Sequence, residues 1–279
     1  MRLVTYRGRG EERAGVQTEA GVIDAADVLG LKRISVRELI SGDQLGSLGG
    51  RLEGTGVEPV RDAELLPPVT DPDKIVCIGL NYRSHAAEAG IEPPEQPTFF
   101  AKFRNALAPP NGTVQLPAAA EKVDYEAEVA FVVGRRAKDV SEDEALGSIA
   151  GYMLLNDLSA RDLQFATPQW MPGKVFDGSA PCGPALVTPD EASPPDRISF
   201  ALELNGERMQ EASTSDLVFS IPELLARLSR WMTLEPGDVV STGTPAGVGS
   251  VRQPRVWLKP GDELVISSPT LGELRTTLG

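Results

Sequence analysis

The residues of this chain best suited to chemistry are acids set two apart. Asp124, Glu126 and Glu128 fall in the run VDYEAEVAFVV, Val123 to Val133, whose residue types favour a strand. Side chains alternate faces along a strand. Tyr125, Ala127, Val129, Phe131 and Val133 then share one side, and the three acids share the other with Ala130 and Val132. An ordinary solvated face stays polar to its end; this one turns apolar, which carries three carboxylates into a partly buried place. Same-face neighbours lie about 7 Å apart. Ionised acids at that spacing in a low dielectric need a cation or must take up protons, and a divalent hard metal supplies such a cation. The competing reading is an edge strand whose charged half blunts edge pairing. The strand alone does not decide between them.

Other reactive groups are scattered. His85 is the only histidine, and on a helix it shares a face with Glu88, three residues on. A carboxylate beside an imidazole orients the ring and favours its protonated form, as a general base acting on water requires; a surface His–Glu pair is the plain alternative. Lys102 sits in the strand-like TFFAKF and reads equally as an exposed lysine. Asp157 emerges at the end of a short apolar strand, Gly151 to Leu155, where rigid backbone can present it to a cleft. In the following SARDLQ, Ser159 is the expected helix cap, and Arg161 and Gln164 fall on one face. Lys174 lies in FATPQWMPGKVFDGSAPCGP, a stretch too apolar for a simple solvent loop, so a buried ammonium and a surface lysine both remain open. VVSTGTPAGVG runs from a strand into a Gly-rich loop that can aim N–H groups at a carboxylate or oxyanion, or merely turn between core strands. It lacks the Lys-Ser/Thr ending of a phosphate loop.

These groups need a scaffold, and the chain suggests two units. Residues 1–70 carry short strand-like runs (Leu3 to Tyr6, Gly15 to Gln17, Gly21 to Ile23) and one helix, opened by a capping box of Ser35 and Glu38 and stopped at Gly42. Pro67-Pro68 closes that segment, and residues 71–279 form the larger unit. Its strand KIVCIGL, Lys74 to Leu80, leads into the His85 helix, which Gly90 and the Pro-rich IEPPEQP end. A capping box at Ser141 and Glu144 starts a further helix. Asn205-Gly206 joins Ile198–Leu204 to Glu207–Ala212 in a hairpin with a type I′ turn. Ser220 with Glu223 caps a helix through Trp231, and two Pro-Gly turns introduce the last strands.

Composition narrows the partners. With 279 residues the chain can bury a sizeable core, and a formal net charge of −13 argues against nucleic acid or an anionic membrane surface as partner. No apolar stretch approaches the roughly 18 residues that span a bilayer, and the N-terminal segment lacks the apolar core of a signal peptide, so a cytoplasmic location is expected. Cys77 and Cys182 are too few for a disulfide framework or a thiolate site.

Taken in order, IGLNYRSHAAE, FAKF, DYEAEVAFVVG, GYMLLNDLSARDLQ, GKVFDGSAPCGP, LELNGERMQ and STGTPAGVG resemble the fumarylacetoacetate hydrolase family over residues 73–279. The resemblance implies an α+β, mainly β fold: a mixed β-roll catalytic domain behind a small N-terminal domain, usually as a homodimer. It implies Mg²⁺ or Mn²⁺ on Glu126, Glu128 and Asp157, with Asp124 outside the ligand set. It further implies a lysine at metal and substrate, Lys174, and the His-x-x-Glu dyad of the acylpyruvate hydrolase branch, His85 and Glu88, on a segment that orders over substrate. Arg161, Gln164, Lys102 and Thr244 match substrate or supporting contacts. The expected reaction is hydrolytic carbon–carbon cleavage of an acylpyruvate-like 2,4-dioxo acid, with a small-molecule 2-oxo acid as substrate and no nucleic-acid or membrane partner. Alternatives are an oxaloacetate-type 2-oxo acid decarboxylase, a 2-hydroxyhepta-2,4-diene-1,7-dioate or 5-carboxymethyl-2-hydroxymuconate isomerase, a sugar-acid hydrolase or lyase, and a noncatalytic metal-bound binding protein.

Overall fold

The structure, a computed structural model, describes residues 1–279. Three strands open it, β1 (Arg2–Gly8), β2 (Glu11–Thr18) and β3 (Gly21–Asp24), as a meander that buries Leu3, Val4, Ala14, Val16 and Val22 together with Tyr6, Arg13 and Asp24. Asp24 ends β3 and caps helix α1 (Ala25–Leu29) through the Asp27 N–H. The expected capping box of Ser35 and Glu38 starts α2 (Val36–Ser41), and Gly42 follows it. A third helix, α3 (Leu45–Leu52), forms where the sequence looked undefined: three glycines weaken its propensity, but Leu48 is fully buried and packing decides. β4 (Glu64–Leu66) returns to β1.

The larger part begins with β5 (Ile75–Gly79), the His85 helix α4 (Arg83–Ala89) and β6 (Thr98–Lys102). Short strands β7 (Leu107–Ala108), β8 (Gly112–Val114) and β9 (Val123–Asp124) lead to β10 (Ala127–Val133). After the capping-box helix α5 (Glu142–Ala145) come β11 (Ile149–Asn156), β12 (Ser159–Ala160), the one-turn helix α6 (Arg161–Gln164) and β13 (Ala180–Val187). The hairpin is β14 (Ser199–Leu204) and β15 (Glu207–Ser213), with Asn205 and Gly206 both at positive φ as a type I′ turn demands. Ser220 caps α7 (Ile221–Trp231), and β16 (Val239–Ser241), β17 (Glu263–Ser268) and β18 (Gly272–Leu278) complete the chain.

One sheet of 11 strands runs β3-β2-β1-β13-β11-β10-β16-β5-β6, with β4 on β1 and β7 on β13; a second of five runs β15-β14-β17-β18-β8. Most pairs are antiparallel, but β16 with β5, β13 with β7 and β18 with β8 are parallel, so both sheets are mixed. The fold is mainly β with few helices, as expected. The first strands join the large sheet directly, because β1 pairs with β13, and one buried cluster combines Leu3, Leu39 and Leu48 with Ala130, Leu155 and Val239. No helix is long and apolar enough to cross a membrane.

Two local expectations need correction. The run Val123–Val133 is not one strand: it breaks at Tyr125-Glu126, because Asp124 bonds to Tyr125 N and to the distant Gly249 and Ser250 N–H groups, while Glu126 N–H bonds to Asn156 Oδ1. Ser159 does not cap α6. It pairs with Asp124 across β12 and β9 and donates its hydroxyl to Asp157 O, leaving Ala160 at the cap.

The N-terminal meander has its own buried ion pair. Arg13 donates to Asp24 through Nε and Nη2 at 2.5 and 3.0 Å, and Tyr6 OH donates to Asp24 at 2.6 Å. Burial alone would push the Asp24 carboxyl up, but Arg13, Tyr6 and the Asp27 N–H hold it below the usual range. Its stabilising contribution is therefore present above the unfolded carboxyl pKa and is lost as pH falls toward the depressed folded value. Asp24→Asn removes the buried carboxylate from Arg13 Nε and Nη2 and leaves the part-exposed Glu11 on Nη1, so a cost approaching about 3 kcal/mol is expected. Urea unfolding at neutral pH checks this, and a midpoint equal to wild type would contradict it.

Candidate active site

The site lies where β10, β11 and the loop after β16 meet. β10 pairs with β11 along its length and with β16 from Ala130 to Val132, and it is buried throughout, as are Glu126 and Glu128, so the reading of a solvent-facing charged edge is overturned. Asp157 follows β11 directly, and its N–H bonds to Glu126 O at 2.9 Å. That backbone bond brings the acid at one strand's end beside the acid before the next strand. Ligand oxygens of Glu126, Glu128 and Asp157 then fall within 4.8 Å of one another, each residue buried.

Cations balance part of this charge. Lys174 Nζ donates to Glu126 Oε2 at 2.6 Å and Asp157 Oδ2 at 2.7 Å. Burial alone would push its ammonium pKa down, but Asp157 and Glu126 more than offset this and hold it above the lysine range. Lys174 can approach so closely because Gly173 precedes it: a Cβ there would lie 2.4 Å from Ala160 O and 2.5 Å from Gln164 N. Arg161 donates Nε to Asp124 at 2.9 Å, Nη2 to Glu126 Oε1 at 2.7 Å and Nη1 to Gln164 Oε1 at 2.9 Å. The Glu126 carboxyl, which burial would raise, is held well below its usual range by Arg161 and Lys174.

Glu128 is different. Its Oε2 accepts from the Ser241 hydroxyl and from Gly243 N–H at 3.1 Å, both neutral, and none of the site's cations pairs with it. Burial, then Asp157 and Glu126, push its carboxyl well above the usual range. Asp157 Oδ1 is buried without an aligned donor, although Lys102 Nζ stands 2.8 Å away. Oxygen donors clustered around unbalanced negative charge fit a hard divalent cation, and the three acids are the residues that would hold it. Asp124 is saturated by Arg161 and three backbone N–H groups, so it positions Arg161 and the 249–250 loop.

The carboxylates form the floor of a cavity of about 220 Å³. His85, Arg161, Gln164, Lys174 and Thr244 also line it, and Ile78, Phe100 and Trp170 supply apolar walls. Thr244 turns its hydroxyl to Ala127 O at 3.0 Å. Lys102 does not line the cavity, and of the two expected roles, substrate or supporting contact, its position suits the supporting one. It is 2% exposed and grips Lys174 O, Ser179 O and Ser179 Oγ, so it fixes the Lys174 loop. His85 and Glu88 share a face of α4 as expected, with Nδ1 and Oε2 3.6 Å apart, beyond hydrogen-bond range. Both Glu88 oxygens instead lie 3.0 Å from Gly247 N. Ser241, Asn156, Phe100, Trp170 and Gln210 were not singled out from sequence. Each stands inside a stretch quoted above, but nothing local marks it within that stretch, and a partner elsewhere in the chain sets its place.

Comparison with known proteins places this geometry. Residues 74–279 match the family model described as fumarylacetoacetate (FAA) hydrolase C-terminal. The chain belongs to the fumarylacetoacetate hydrolase family. A curated relative, the mitochondrial oxaloacetate tautomerase FAHD2B of Bos taurus, is 42% identical over 218 residues, covering 77% of this chain and 69% of the relative. Among solved structures, the 5-carboxymethyl-2-hydroxymuconate delta-isomerase of Mycobacterium smegmatis superposes with a TM-score of 0.79 at 31% identity, covering 100% and 99% of the two chains. Maleylpyruvate hydrolase of Sphingobium sp. SYK-6, solved with manganese(II) and pyruvate, gives 0.83 at 29% identity, covering 100% and 98%. This member of the family is an enzyme, and a divalent metal suits its acidic cluster.

Proposed function

We propose that this enzyme moves a proton between carbon 3 and the 2-oxygen of an oxaloacetate-type 2-oxo acid, as a tautomerase assisted by Mg²⁺ or Mn²⁺. The observation that carries this reading is the Lys174 ammonium, held between Glu126 and Asp157 on the cavity wall. Glu126, Glu128 and Asp157 would hold a divalent cation, which would supply Lewis acidity toward the 2-oxo acid end of the substrate. Two of the three Lys174 Nζ protons go to carboxylates, which leaves one for the 2-oxygen as it gains negative charge. Arg161 takes the Gln164 carbonyl oxygen, which leaves the Gln164 amide N–H groups for the substrate carboxylate. His85, on the same wall, is the titratable side chain that carries the proton to carbon. Ile78, Phe100 and Trp170 exclude water from the exchange.

The relatives support proton transfer over hydrolysis. One is named an oxaloacetate tautomerase and another a hydroxymuconate isomerase, and the pyruvate and manganese in the third support the substrate end and the cation. The expected acylpyruvate hydrolysis stands as a second reading, favoured by His85 and Glu88 lying together and by the maleylpyruvate hydrolase neighbour. It calls for a His85–Glu88 hydrogen bond to orient the base, and from 3.6 Å that bond would have to tighten as substrate binds. Oxaloacetate decarboxylation would draw on the same electron sink.

Purified protein should be stripped with chelator, restored with Mg²⁺ or Mn²⁺, and assayed against enol oxaloacetate, keto oxaloacetate and acetylpyruvate, with metal-only controls subtracted. Metal-restored ketonisation of the enol, faster than any acetylpyruvate cleavage, is expected. Acetylpyruvate cleavage that dominates and vanishes in His85→Ala, with metal binding intact, would move the enzyme to the hydrolase reading.

A further inference from the structure

Ala127 lies between two of the acids that would hold the cation, and its backbone is secured in an unusual way. On one side it pairs with Asn156 of β11. On the other, β16 covers β10 only from Ala130 to Val132, and Thr242 N–H extends this to Val129 O at 3.0 Å. Beyond that the chain leaves the sheet as the Gly-rich loop, so no strand reaches Ala127. Its N–H instead donates to Gln210 Oε1 at 2.9 Å, and its C=O accepts from Thr244 Oγ1 at 3.0 Å. Gln210 Nε2 donates to Thr244 Oγ1 at 2.9 Å and to Pro245 O at 3.0 Å, which closes the ring.

Resting on the metal reading of Glu126, Glu128 and Asp157, we infer that Gln210 is a positioning residue for that centre. Its amide replaces the missing strand beside Ala127 and thereby sets the spacing of the Glu126 and Glu128 carboxylates. Three features carry this. Gln210 is 2% exposed and belongs to β15, in the other sheet, so it ties the hairpin to the site across the core. Its one acceptor and two donors are all used, a pattern that only a primary amide provides. It also fastens Thr244, which lines the cavity and donates to Ala127 O, to the same residue that separates the two acids. A shift of Ala127 therefore moves two ligands and one cavity wall together. Outer groups that orient metal ligands typically change affinity or activity about 10–100-fold when removed.

The test uses the full-length protein with Gln210→Glu, which keeps the acceptor and loses the donors, and Gln210→Met, which keeps the length and loses both. Leu228→Ala, in the buried face of α7 and away from the Gln210 ring, is the control for plain destabilisation. Mn²⁺ affinity and the Mn²⁺ electron paramagnetic resonance spectrum are read alongside thermal melting, kcat and KM. Both Gln210 variants should bind Mn²⁺ about 10- to 100-fold more weakly, with an altered spectrum and a lowered kcat. Leu228→Ala should melt earlier with wild-type Mn²⁺ affinity. If either folded Gln210 variant keeps wild-type affinity and spectrum, Gln210 is structural only and the inference is overturned. Wild-type protein that binds no Mn²⁺ would overturn the metal reading itself, and this role with it.

Discussion

Lys174→Met should lower turnover of an oxaloacetate-type substrate by about 10²- to 10³-fold, the usual cost of losing one preorganised charge beside developing negative charge. The ammonium sits 2.6 and 2.7 Å from Glu126 and Asp157, so the substitution acts on two acids at once. Without a cation in the cluster, the variant leaves both buried carboxylates short of a partner, and removing one member of a buried pair costs about 3–5 kcal/mol. A divalent ion compensates for that loss of positive charge. Metal-free Lys174→Met should therefore melt well below wild type, and saturating Mn²⁺ should restore much of the difference while activity stays low. Stopped-flow ketonisation of enol oxaloacetate, with melting curves in chelator and in Mn²⁺, separates the two effects. A variant with wild-type turnover would remove Lys174 from the chemistry.

Glu128→Gln should behave in the opposite way. Glu128 bonds only to Ser241 and the Gly243 N–H, and no ammonium or guanidinium pairs with it. An uncharged isostere suits that environment when no cation is bound, so the metal-free variant should melt no lower than wild type. The cation, however, loses one of three charged ligands. A ligand bound only by the folded state at about 100 times its Kd adds about 2.7 kcal/mol. Wild type should show a stabilisation of that order in Mn²⁺, and Glu128→Gln should show little. An equal Mn²⁺-induced shift in both proteins would place the ion elsewhere.

Local chemistry made much of this scaffold legible. Ser35 with Glu38, Ser141 with Glu144, and Ser220 announce helix starts because each cap bond spans three residues. Asn205-Gly206 announces its hairpin because both residues accept positive φ. The acids were legible for a related reason: side chains two apart must be explained by what lies on their side of a strand. What stayed hidden depends on distant partners. The break at Tyr125-Glu126 comes from Asp124 meeting Gly249, 125 residues away, and Asn156 meeting Glu126. Lys102 resembles an exposed strand lysine until Ser179 and the Lys174 carbonyl enclose it. Gln210 looks like one more polar residue of a hairpin, and only the early end of β16 gives its amide a task. The interior position of β10 likewise follows from sheet order, which no periodicity within the strand encodes.

The most direct measurement is a Mn²⁺ titration of metal-stripped protein followed by electron paramagnetic resonance, repeated with oxalate, whose adjacent carboxylates present two oxygens as a 2-oxo acid does. One Mn²⁺ bound per chain is expected, with a spectrum that changes when oxalate is added and a site lost in Glu128→Gln. Protein that binds no Mn²⁺, or binds it with a spectrum indifferent to oxalate, would contradict a cation on Glu126, Glu128 and Asp157 that receives the 2-oxo acid.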